Sequence, residues 1–124
     1  MVLTATVLTL WACGKSERPL LEQFFGASRL RDTTALQAVS TVIFEPREQG
    51  IVRTFEVTGV TAERLDGQAV TKEVTVEAPV ILPDGRTVQK TLVLTLQRSS
   101  GQESSRWLVT GFRDAAASQL APRS

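Results

Sequence analysis

Histidine, tyrosine and asparagine are absent from this 124-residue chain, and cysteine and methionine occur once each. Without histidine there is no imidazole for general acid–base work, for Ser-His or Cys-His nucleophile pairs, or for zinc ligation. A single cysteine excludes a disulfide within the chain. Neither charge sign dominates: 14 Lys+Arg stand against 13 Asp+Glu, and the signs are interspersed. Such a balance leaves no basic face and argues against a nucleic-acid partner. There is no Gly-rich phosphate loop, no Cys/His cluster and no Asp-rich calcium loop, so no metal or cofactor is expected. Serine and threonine are plentiful, but none has a histidine or an evident lysine to activate it. The expectation is a non-catalytic protein. Length, 42% hydrophobic and 22% charged residues describe one small domain.

Residues 2–12, VLTATVLTLWA, carry no charge. As a helix such a run rises about 16 Å, well short of the roughly 30 Å hydrocarbon core, and its length suits the apolar region of a signal peptide. A buried N-terminal strand with Cys13 as an inert core thiol is the other reading of the same residues. The sequence Leu10-Trp11-Ala12-Cys13 resembles the lipobox of bacterial lipoproteins, departing from it at Trp11, where a small residue is usual. The resemblance implies acylation of Cys13, cleavage before it, and attachment to a membrane of the bacterial cell envelope on its periplasmic or outer-membrane face. Gly14, where an aspartate retains such proteins at the inner membrane, is compatible with outer-membrane sorting. The expected organisation is a signal peptide over 1–12, lipidated Cys13 and a short tether over 13–18, a folded domain over 19–114 and a flexible tail over 115–124.

The folded part begins as helix. Leu20, Leu21, Phe24, Phe25 and Ser28 share one helical face. Asp32 is placed to cap a second short helix from Thr33 to Ser40 that buries Leu36 and Val39. Val42-Ile43-Phe44 reads as a short strand. Past Gly50 the period becomes two, with turn signals at Asp66-Gly67, Pro83-Asp84-Gly85 and Ser99 to Ser104. A two-residue loop at Asp66-Gly67 places Phe55 opposite Ala78, Val57 opposite Val76 and Gly59 opposite Val74. A three-residue loop at Pro83–Gly85 places Val80 opposite Val88, Val76 opposite Leu92 and Val74 opposite Leu94. Both registers put the apolar residues on one face, which the helices must cover. Arg106 to Arg113 is ambiguous: Trp107 and Val109 share one parity, Leu108 and Phe112 the other. The fold class is therefore α+β, N-terminal helices packed on a curved antiparallel meander.

The stretch Phe24-Phe25-Gly26-Ala27-Ser28-Arg29-Leu30-Arg31-Asp32 through Leu36 and Phe44, with the closing Trp107-Leu108-Val109-Thr110-Gly111-Phe112, resembles the cystatin-like roll of the nuclear-transport-factor-2-like superfamily. Enzymes of that superfamily usually carry a Tyr–Asp or Asp–His pair in a cone-shaped cavity, and neither pair exists here. Asp32 is the one carboxylate at a matching turn, and as a lone acid it suits a helix cap. Arg53 and Lys90 fall on the apolar parity, facing Val80 and Ala78. A lone buried charge is costly, so each must reach water or meet an anion, with Asp32, Glu45 or a ligand as candidates. Three readings result: a lipid-anchored module binding an unidentified protein or ligand, a pocket for a small anionic or hydrophobic ligand using Arg53, Lys90 and Asp32, and a homodimer formed through the polar sheet face.

Overall fold

The computed structural model describes residues 17–100 and 106–115. Cys13, the apolar run before it and the tail beyond residue 115 lie outside the described residues. Two helices precede a six-stranded antiparallel sheet that curls around the first of them, an α+β arrangement.

Helix α1 runs through residues 17–30 and buries Leu21, Phe24, Phe25, Ala27 and Ser28. Glu17 and Arg18, expected in a tether, are already helical. Glu17 falls on the stripe of Leu21, Phe24 and Ser28, so another turn of helix carries it onto the buried face. The helix closes with Arg31 at φ 54°. The Asp32 N–H donates to the Ala27 carbonyl at 2.9 Å and the Arg31 N–H to that of Ser28 at 3.1 Å. This is a Schellman closure with arginine where glycine is usual. Asp32 then caps α2 (Thr33–Gln37), its Oδ1 accepting from the Ala35 N–H at 3.1 Å.

Helix α2 is shorter than the expected Thr33 to Ser40, because the chain turns after it to bring Ser40 beside Val109. Leu36 and Val39 are buried as expected. Val42-Ile43-Phe44 is not a strand. Serine hydroxyls take its backbone groups instead: Ser40 Oγ accepts from the Val42 N–H at 2.9 Å, and Ser28 Oγ accepts from the Phe44 N–H at 3.0 Å.

Strands β4 (Ala69–Ile81) and β5 (Thr87–Ser99) form the spine of the sheet. Their pairing is the expected one along its whole length, from Ile81 opposite Thr87 through Val76 opposite Leu92 to Ala69 opposite Ser99. Pro83-Asp84-Gly85 makes the turn, with Gly85 at φ 95°. Asp84 fastens it, accepting from the Arg86 N–H at 2.9 Å and from Arg86 Nε at 2.8 Å. The backbone N–H of Arg86 first, and then its guanidinium, hold the exposed Asp84 carboxyl below its ordinary value of 3.8. Because the folded value is the lower one, the contribution to stability is fully present above pH 3.8 and fades as pH falls through the folded value. A side-chain carboxyl NMR titration should find Asp84 protonating below 3.8, and Arg86→Ala should move it only part of the way back, because the alanine keeps the backbone N–H that lowers it most.

On the other side of β4 lie three short pieces, β1 (Ile51–Val52), β2 (Glu56–Val60) and β3 (Arg64–Asp66). Each break between them, and an irregularity inside β2 at Thr58, puts one more residue on this side than on β4. Val57 faces Val76 as expected, but Gly59 faces Thr75 rather than Val74. The tight turn is Gly67-Gln68, one residue later than expected, between Asp66 and Ala69. Gly50, at φ 101°, passes so close to the Ile81 carbonyl oxygen that a Cβ would collide with it.

Strand β6 (Leu108–Asp114) completes the sheet beside β5. Leu96 faces Val109 whereas Leu94 faces Phe112, so Thr110 is an extra residue in the ladder. That bulge resolves the ambiguity of parity: residues on either side of it both point inward. The core joins Val74, Val76, Ala78 and Val80 of β4 with Leu92, Leu94 and Leu96 of β5 and the buried side of α1. All five phenylalanines fill the space between them, in ring contacts linking Phe24, Phe25, Phe44, Phe55 and Phe112 at centroid distances of 5.0–6.3 Å.

Candidate functional site

The residues singled out in the sequence are not brought together. Val52, rather than Arg53, faces Val80, and Arg53 is exposed. The extra residue between β1 and β2 is the cause, since a slip of one position turns a side chain to the opposite face. Lys90 does face Ala78, but its ammonium lies 3.2 Å from Asp114 Oδ2. Glu45 pairs with Arg31 at 3.7 Å. Asp32 is an exposed helix cap. Among the described residues no hydrogen bond or ion pair joins Arg53, Lys90 and Asp32 to one another.

A different cluster forms where the first described turn of α1 meets Lys72 of β4 and Arg98 of β5. Lys72 continues the inward parity of Val74 and Val76 and is buried. Its ammonium pairs with the Glu17 carboxylate, also buried, in a charge-assisted hydrogen bond. The same nitrogen lies 4.2 Å from the centroid of the Trp107 ring. Arg98 places its guanidinium carbon 5.2 Å from that centroid while keeping a 3.7 Å contact with Glu63. Two cations thus share one indole, the aromatic ring best suited to such contacts.

Both charged groups were legible in part. Lys72 satisfies the parity rule that drew attention to Arg53 and Lys90, two positions before Val74. Glu17 sits four residues before Leu21 and seven before Phe24, and reading it as tether hid that spacing.

The ion pair floors a cleft of about 320 Å³ whose other walls include Leu20, Val39, Leu96 and Trp107. A second hollow of about 420 Å³ adjoins it, sharing Ala38 and Arg106 and adding Gln37, Gln97, Arg98 and Thr110. The first hollow is thus mainly apolar, the second mixes Ala38, Ala69 and Leu108 with amides and hydroxyls, and Arg106 borders both. Glu17 and Lys72 neutralise one another, so the floor offers no net charge. Among the described residues there is no group of three or more His, Cys, Asp or Glu suited to a metal ion.

Compared with protein-family models, curated proteins and solved structures, the chain matches none.

Proposed function

We propose that this chain is a non-catalytic, lipid-anchored protein of the bacterial cell envelope, built on a cystatin-like roll and acting as a binding module. The observation that carries the binding role is the filled interior. Where an enzyme of this shape would keep a polar cavity, all five phenylalanines pack against one another between α1 and the sheet. Recognition then belongs to the periphery, and the cleft beside Trp107 is the place for it. The anchoring half of the proposal rests on Leu10-Trp11-Ala12-Cys13. Cys13 precedes Glu17 by four residues, a reach of at most about 14 Å. Acylated there, the chain holds the cleft within a short distance of the bilayer. No helix among the described residues is long and apolar enough to cross a membrane, so attachment in this proposal depends on the acyl chains.

Mass spectrometry of the membrane fraction from an exporting bacterial host tests the anchor. The expected species begins at an acylated Cys13, and Cys13→Ser should shift the protein to the soluble fraction. Full-length, unacylated protein still beginning at Met1 would overturn the proposal.

A further inference from the structure

The two hollows that meet at Arg106 differ in chemistry, and the difference specifies what would fill them together. The inner one is walled by Leu20, Val39, Leu96 and the Trp107 ring, a lining for a hydrocarbon chain or ring. The outer one sets Gln37, Gln97 and Thr110 beside Ala38, Ala69 and Leu108, so it offers polar partners that the inner one has fewer of. Three cations border this region, Lys72, Arg98 and Arg106. Lys72 is matched by Glu17 and Arg98 by Glu63. Arg106 lines both hollows, is exposed, and among the described residues makes no ion pair. The unmatched charge bordering both hollows is therefore positive, and it stands between a mainly apolar compartment and a more polar one.

We infer that this double cleft binds an amphiphilic anion, its apolar part against Trp107 and Leu20 and its carboxylate or phosphate on Arg106. The guanidinium offers a planar fork of donors that fits either acid group. The buried Lys72–Glu17 pair keeps the floor neutral, so the carboxylate of Glu17 does not repel the ligand. A cationic amphiphile is disfavoured by Arg106, and a wholly apolar molecule leaves the polar hollow unused. The inference names the ligand class for the cleft of the proposed binding module, and it stands or falls separately from the anchor.

Isothermal titration of the full chain carrying Cys13→Ser, which is unacylated whatever the fate of the anchor, provides the test. The probes are sodium decanoate and its uncharged counterpart 1-decanol. Decanoate is expected to bind about 10-fold more tightly than decanol, the difference one charge-assisted contact supplies. Arg106→Gln should weaken decanoate about 10-fold and leave decanol unchanged, while Arg106→Lys retains most of the affinity. An unaltered thermal midpoint for both variants confirms that the exposed substitution spares the fold. Phosphatidylglycerol vesicles in the same titration distinguish the sources of such an anion. Competition with decanoate means that a bilayer lipid enters the cleft, and no competition leaves the free amphiphile as the ligand. Equal binding of decanoate and decanol, decanoate affinity indifferent to Arg106→Gln, or no decanoate binding up to about 1 mM would overturn the inference.

Discussion

Glu17→Ala is expected to destabilise the folded domain by about 3–5 kcal/mol, the cost of leaving a buried charge without its partner. The carboxylate lies against the Lys72 ammonium, and the two side chains are only 5% and 9% exposed. The Trp107 face, which attracts the ammonium, carries no full charge to replace the lost anion. The double variant Glu17→Leu with Lys72→Met should recover most of the loss. It removes both desolvation penalties and puts a thioether where the ammonium met the indole. Urea denaturation of the two single variants and the double variant forms a cycle whose coupling term isolates the pair. A cost below about 1 kcal/mol for Glu17→Ala would mean a solvated surface bridge and would contradict the buried cluster described above.

Phe25→Ala should cost about 3–5 kcal/mol, the range for removing a fully packed aromatic ring. Phe25 is the hub of the aromatic interior, with ring centroids 5.2 Å from Phe24, 5.5 Å from Phe44 and 5.5 Å from Phe55. Those contacts join α1 to the segment after α2 and to the chain leading into β2. Removing the ring therefore loosens three parts of the molecule around one void. Phe25→Leu should restore more than half of the stability, since it refills volume without the ring-edge contacts. The check is a lower urea midpoint with an unchanged denaturant slope. An Ala variant within about 1 kcal/mol of the wild type would show that the interior is loosely packed and has room for a ligand.

Particular elements show what the residues alone could reveal. The β4–β5 hairpin was legible throughout because two cues agreed. A three-residue turn closed by Gly85 sets the register, and the alternation from Val74 to Val80 demands the same one. The β1–β3 side was legible only at Val57, because each break adds a residue and bulges leave no reliable mark in a single sequence. Arg53 was misplaced for that reason. β6 looked contradictory because its parity changes at Thr110, a residue with nothing unusual about it. Val42-Ile43-Phe44 has the composition of a strand, but Ser28 and Ser40 satisfy its backbone from elsewhere in the chain. The cleft beside Trp107 was harder to foresee. Lys72 was readable from its parity, whereas the meeting of Glu17 with Lys72 joins residues 55 positions apart and depends on how α1 lies across the sheet.

The interrupted strand along β4 also bears on how copies of this protein tolerate crowding. Its longest continuous piece is the five residues of β2, with the two residues of β1 before it and the three of β3 after it. An incoming strand from a neighbouring molecule would lose step at each gap, so no long intermolecular ladder can grow from that border. The opposite border, β6, is partly occupied: Val109 donates its N–H to the Val39 carbonyl and accepts from the Thr41 N–H, each at 2.9 Å. One rim is thus broken into short pieces and the other is covered at Val109, so templated association is resisted where copies of the domain crowd together.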